Sequence, residues 1–254
     1  MAESILLAAA RATTFAGGDL LTGASGFFFE RDTQLFFVTS RHVLIDAPTG
    51  HHPTHVAIEV HTDAVNLTQS AQVTVPLYVD GKSQWRQGRD SGGEIDVAAI
   101  EIPRALLPDG VALRCFTPQH LQLDDEAVEV GSMLLIVGFP LGFHDTLHHL
   151  PVARHGIIAS SFGVRFQGQG FFLTDSRTHR GTSGACVVLR DDSLGAALPW
   201  RLLGVHSARM DMGGRDLVLD ESLGLNSAWY ANILMTLTAP RTPTATSAPP
   251  SAHS

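Results

Sequence analysis

From Ala24 onward the chain is a series of short apolar runs broken by polar, glycine- or proline-containing interruptions. In the first half the runs are Gly26–Phe29, Leu35–Val38, His55–Val60, Val73–Val79 and Ile95–Ile102. In the second half they are Ser132–Gly138, Val152–Ser160, Phe162–Phe166, Gly170–Thr174, Ala185–Leu189, Trp200–Ser207 and Gly224–Tyr230. Such runs, rich in Val, Ile and Phe and closed by turn residues, predict strands rather than helices. Residues 54–61 alternate in part, as a half-buried antiparallel strand does. The polar segment from Asp80 to Gly93 predicts a loop, and the acidic segment from Gln119 to Glu129 a connection between two sets of strands. One helix is predicted within Ala228–Leu237, and from Ala239 the Thr/Pro/Ser/Ala-rich tail is expected to be disordered. The pattern is all-β, in two units at about residues 12–110 and 130–235.

Composition narrows the possibilities. The 254 residues are 44% hydrophobic and 17% charged, enough for one large or two small cores. A net charge of −8 without a basic run argues against nucleic acid and anionic membrane surfaces as partners. No apolar stretch approaches the length of a membrane span. The start, residues 1–11, has Glu3 where a secretion signal carries a positive charge, and its apolar part is only Ile5–Ala10, so a cytoplasmic location is expected. Two cysteines, Cys115 and Cys186, make no disulfide framework; Cys186, in an apolar run, reads as a small buried hydrophobe.

Candidate chemistry centres on residues 175–185, where Ser183 stands in Gly181-Thr-Ser-Gly184. Two glycines around one hydroxyl predict a tight bend with unusual dihedrals and close access for a ligand. Serine becomes a nucleophile only with a base to take its proton and N–H donors facing the oxyanion. His42, at the end of the run from Leu35, and Asp96, opening the run to Ile102, precede it in the order His–Asp–Ser. An acid opening an apolar strand is costly unless paired, and an imidazole Nδ1–H is a suitable partner. The Gly-x-Ser-x-Gly elbow of α/β-hydrolases is not met, because Ala185 stands at its last position.

Several blocks together resemble the trypsin-like (chymotrypsin-fold) serine peptidases, in pattern the bacterial HtrA/Deg kind. Ala24–Phe29 resembles that family's Gly-Phe strand, Thr39-Ser-Arg-His42 its Thr-x-x-His block, and Ile95–Ile100 its Asp block. Val137-Gly-Phe-Pro-Leu-Gly142 followed by Gly156–Ser160 is similar to the stretch opening its second barrel, and Thr174-Asp175 falls where it carries Thr-Asp. The resemblance implies two antiparallel six-stranded β-barrels with a short C-terminal helix, and no stretch is left over for a PDZ domain. It implies a serine endopeptidase without cofactor, acting on protein or peptide substrates, with His42 as base, Asp96 as orienter, Ser183 as nucleophile and the Gly181 and Ser183 amides as oxyanion donors. A non-catalytic binding or scaffolding module on the same fold is the alternative. Thr182 stands immediately before Ser183, so no carboxylate is there to receive a new N-terminal ammonium, and the oxyanion loop is expected to be held by other contacts.

Two further expectations concern side chains around this centre. Arg177, Thr178 and His206 resemble the specificity pocket of glutamate-specific and glutamine-selecting peptidases, implying preference for Glu or Gln before the cut bond. The histidine groups His51-His-Pro-Thr-His55 and His144…His148-His149 lack cysteines or a His-Glu-x-x-His helix, so they read as solvated loop residues rather than a metal site.

Overall fold

The computed structural model describes residues 2–122, 128–210 and 223–240. The first unit contains β1 (Ala9–Ala16), β2 (Asp19–Arg31), β3 (Gln34–Thr39), β4 (His55–His61), β5 (Ser70–Pro76), the small pair β6 (Tyr78–Val79) and β7 (Lys82–Ser83), β8 (Trp85–Asp90) and β9 (Gly93–Ile102). Apart from the small pair these form one sheet in the order β5-β4-β1-β2-β3-β9-β8. The sheet thus has seven strands where six were expected. Val73 and Val75 of β5 and Trp85 of β8 nevertheless join one apolar cluster, so the two edges curl around a common core.

The second unit is a closed antiparallel barrel of β10 (Met133–Gly138), β11 (Val152–Ile158), β12 (Phe171–Asp175), β13 (Cys186–Arg190), β14 (Trp200–Arg209) and β15 (Leu225–Tyr230). It has the expected six strands. Closure leaves no unpaired edge in this unit. The helix α2 (Ile233–Leu237) follows, shorter than the stretch read as helical, because Ala228–Tyr230 pair with β12 and β14 instead. Together these features make a chymotrypsin-like fold.

Two readings are corrected. Residues 80–93 are not a loop: β8 pairs with β9 as an edge strand in which Trp85 packs inward while Gln87 and Arg89 are exposed. Phe162–Phe166 is not a strand but a turn, in which Phe162 alone is buried, against Phe172 and Tyr230. The apolar start belongs to the fold, since Ile5 is 3% exposed in the inter-unit core and β1 begins at Ala9. The tail expected to be disordered lies outside the described residues from 241 on; Ala239 itself is tied down, its carbonyl accepting from Arg86 at 2.6 Å.

The period-two pattern of β2 and β3 explains how the units join. Phe28 and Phe37 enter the core of the first unit. Phe27, Phe29 and Phe36, on the opposite face, enter a second cluster with Val137, Cys186, Val188, Val205 and Trp229 of the barrel. Alternating side chains of one strand thus serve two cores. Apolar surface buried this way stabilises the joint by about 25 cal/mol per Å² removed from water. This joint carries the rim of one unit onto the rim of the other.

Candidate active site

His42 lies on the single turn α1 (Arg41–Leu44), which begins where β3 ends. Asp96 is carried by β9, the neighbour of β3, with Thr39 opposite Ala98. That register sets the carboxylate against the turn. His42 Nδ1 donates to Asp96 Oδ2 at 2.7 Å and the His42 backbone N–H to Oδ1 at 2.9 Å. Ser207 of β14 donates its hydroxyl to Oδ2 at 2.5 Å. Burial alone would push the His42 imidazole down, but the hydrogen bond and charge of Asp96, with the charge of Asp46, hold it above the ordinary 6.5. Burial likewise would raise Asp96, yet His42 and the Ser207 hydroxyl keep it below the usual carboxylate range.

Ser183 comes from the opposite side, in the bend before β13. Gly181 and Gly184 both have φ near +87°, the left-handed conformation expected of the bend. Gly184 is needed for space as well, since a Cβ there would lie 2.2 Å from the Ser25 carbonyl oxygen and 2.3 Å from Thr39 Oγ1. Its backbone N–H donates to the His206 carbonyl, and Ser25 N–H to the Ser183 carbonyl. These bonds lock the bend between the units. His42, Ser183, Gly181 and Arg180 then line one open cleft of about 390 Å³. Ser183 Oγ donates to the Ser207 carbonyl at 3.1 Å, and among the described residues no hydrogen bond joins it to His42.

The oxyanion side follows from peptide geometry. A trans peptide points its C=O and N–H in opposite directions. The Arg180 carbonyl accepts from Leu141 N–H at 2.5 Å, and the Thr182 carbonyl from Ala185 N–H at 2.9 Å. The Gly181 and Ser183 N–H groups are therefore turned the other way, and among the described residues neither has a partner. Leu141, at φ +54° in the Pro140–Gly142 turn, thus holds the loop by its backbone N–H. Ser25 helps, its hydroxyl donating to the Gly181 carbonyl at 2.7 Å.

Of the three residues expected to line a specificity pocket, His206 and Thr178 are buried, at 2% and 5% exposure. His206 pairs with Ala228 across β14 and β15, and Ala228 lies in the barrel core, so His206 faces inward while Val205 faces the joint. Thr178 Oγ1 donates to Asn226 Oδ1, whose amide nitrogen in turn donates to the carbonyls of Thr174, Ser176 and Gly224. Burial, with repulsion from His42, lowers His206 to about 3, and among the described residues its Nδ1 has no hydrogen-bond partner. Arg177 is exposed. Ser207, Ser25, Leu141 and Asn226 escaped the sequence reading; only Ser207, adjoining His206 in Gly204-Val-His-Ser207, carried a usable local signal.

Fold and site together define a chymotrypsin-like protein with a serine, a histidine and an aspartate converging between its halves. The model of the trypsin-like peptidase domain family matches residues 24–196, and the chain belongs to that family. Among solved structures it is similar to the HtrA-type protease AlgW with tripeptide (15% identity, 91% of this chain and 58% of that one, TM-score 0.55). It is also similar to a serine endoprotease from Yersinia pestis (15%, 91% and 61%, TM-score 0.53). The active form of the Rv3671c protease from M. tuberculosis is a third (14%, 94% and 84%, TM-score 0.52). At these identities the likeness is one of fold, and the chain spans less than two thirds of the first two structures. No curated protein sequence matches it.

Proposed function

We propose that the protein is a serine endopeptidase that works through an acyl-enzyme and prefers Gln or Glu before the cut bond. The observation that carries this reading is the shared cleft, in which a His42–Asp96 pair faces Ser183 beside two partnerless N–H groups. Ser183 Oγ leaves the Ser207 carbonyl by a side-chain rotation and attacks the substrate carbonyl carbon. His42 Nε2 takes the hydroxyl proton, and Asp96 stabilises the imidazolium through Nδ1. The negative charge on the carbonyl oxygen meets the Gly181 and Ser183 N–H groups. His42 then gives its proton to the leaving amine, and water repeats the sequence to release the acid and restore Ser183. A scaffolding module has no need of three polar groups converging on one cleft.

The preference rests on His206 and Thr178. Because Thr178 spends its proton on Asn226, its oxygen is left to accept, which suits a side-chain amide or a neutral carboxyl. A neutral His206 donates one ring N–H to the side-chain carbonyl. A polar site of this kind rejects apolar side chains, which would leave its groups unpaired. Two measurements test the reading. A fluorophosphonate probe should label the wild type and not Ser183→Ala; absence of labelling removes the endopeptidase assignment. Peptide-library profiling should then show cuts after Gln and Glu; cuts mainly after Val, Ala or Leu remove the specificity while leaving the enzyme. Binding Glu beside so weakly basic a histidine takes up a proton and binding Gln does not. The Glu-to-Gln ratio of kcat/KM should therefore rise between about pH 8 and about pH 5.

A further inference from the structure

We propose that Glu59, His144 and His149 form a binding site for one divalent transition-metal cation of the zinc type, joining β4 of the first unit to the loop before β11. Each residue offers one ligand atom, and these atoms lie within 4.8 Å of one another. Glu59 is 9% exposed, on a strand whose other residues are mostly apolar. A carboxylate so buried must be paired. Arg11 reaches Oε2 with both Nε and Nη2, at 3.1 and 3.0 Å, which fixes the group and leaves Oε1 turned toward the loop. There Oε1 meets Ser70 Oγ at 3.3 Å and His149 Nδ1 at 2.9 Å.

That last contact is the telling one. His149 Nδ1 is buried and, despite its closeness to Oε1, is out of line for a hydrogen bond. The lone pair of a neutral ring nitrogen and a carboxylate oxygen set side by side repel, and a metal cation bound by both removes that repulsion. His144 supplies the third donor. Its Nδ1 sits 2.6 Å from the Gly142 carbonyl, which only accepts, so Nδ1 carries the proton and Nε2 keeps its lone pair. A second carbonyl or carboxylate on the far ring nitrogen is the usual way a metal-binding histidine is oriented.

The loop itself is braced for the purpose. Asp145 accepts from the backbone N–H groups of Leu147 and His148 and from His148 Nδ1. His61 of β4 donates Nε2 to the His148 carbonyl at 2.7 Å, so the loop is already docked on the strand that carries Glu59. Two imidazole nitrogens and one carboxylate oxygen, with a fourth position open to water, match the three-ligand arrangement of zinc, and imidazoles favour zinc, cobalt, nickel or copper over magnesium or calcium. Metal–ligand bonds of about 2.0–2.1 Å require a tighter triangle than the one seen. Binding therefore requires His144, the half-exposed member, to move toward the Glu59–His149 pair. The histidines near His51 do not compete: the His51 ring is held by the Val43 carbonyl and His55 stacks on Phe15.

The full chain, stripped with EDTA, is titrated with Zn²⁺ by calorimetry and with Co²⁺ by its visible ligand-field absorption. One equivalent should bind, with a Co²⁺ spectrum of low coordination number, and Zn²⁺ should raise the thermal unfolding midpoint. His144→Ala and Glu59→Gln should each weaken binding at least about tenfold, while His52→Ala should leave it unchanged. His144 is a half-exposed loop residue, so its variant reads the site even if Glu59→Gln fails to fold. No binding by the wild type, or equal binding by His144→Ala, overturns the proposal and leaves an ordinary His149–Glu59 ion pair.

Discussion

Replacing Asp96 by Asn changes almost nothing in shape and should remove nearly all turnover. Three donors converge on this carboxylate: the His42 backbone N–H on Oδ1, and His42 Nδ1 and Ser207 Oγ on Oδ2. An amide has one oxygen for them. If that oxygen stays on the His42 N–H, the new NH₂ faces Nδ1, which must give up its proton and accept. The imidazole proton then sits on Nε2, the atom that has to receive the proton of Ser183. A wrong tautomer of this sort costs about 10⁴ in kcat, or about 5 kcal/mol of transition-state stabilisation. The assay is kcat and kcat/KM on the best library-derived peptide, with near-ultraviolet circular dichroism to show that Asp96→Asn keeps its packing. A folded variant that retains more than about a tenth of wild-type kcat would refute the role assigned to the pair.

Four further outcomes follow from the same geometry. His42 must be neutral to act as a base and Asp96 holds it above 6.5, so activity should fall as pH drops through a midpoint above that value; a midpoint below it in a pH–rate profile would contradict the pairing. By linkage, the stability from that raised value is complete below 6.5 and fades as pH rises through the folded-state value, which denaturant titration at several pH values can follow. Ser207→Ala removes one hydrogen bond to a charged acceptor, about 1.5–3 kcal/mol, and should lower kcat by about 10–100-fold, whereas unchanged kinetics would mean that its contact with Asp96 is incidental. Gly184→Ala forces a Cβ to within 2.2 Å of the Ser25 carbonyl at positive φ, and should cost more than about 3 kcal/mol in urea unfolding; a loss under about 1 kcal/mol would show that the two rims are not locked there.

Read alone, the sequence determined what is local. Period-two runs marked most strands, including the two faces of β2 and β3, because alternate side chains of a strand meet different surroundings. Ser183 was legible because only a glycine-flanked bend tolerates the dihedrals at 181 and 184. His42 and Asp96 were legible because polar residues at the ends of apolar runs need a reason to be there. Weakly patterned strands escaped. β1 is built of small residues (Ala9-Ala-Arg-Ala-Thr-Thr-Phe-Ala16) and β8 of polar ones, and each is a strand only because its neighbours supply the hydrogen-bond ladder. Contacts between units were beyond reach for the same reason. Ser207 on Asp96, and Glu59 beside His144 and His149, join residues of different units 85 to 111 positions apart. Nothing in the spacing along the chain encodes those meetings; they depend on how the barrel and the sheet seat against each other, which is decided by the shared core of Phe27, Phe29, Phe36, Val137, Val205 and Trp229.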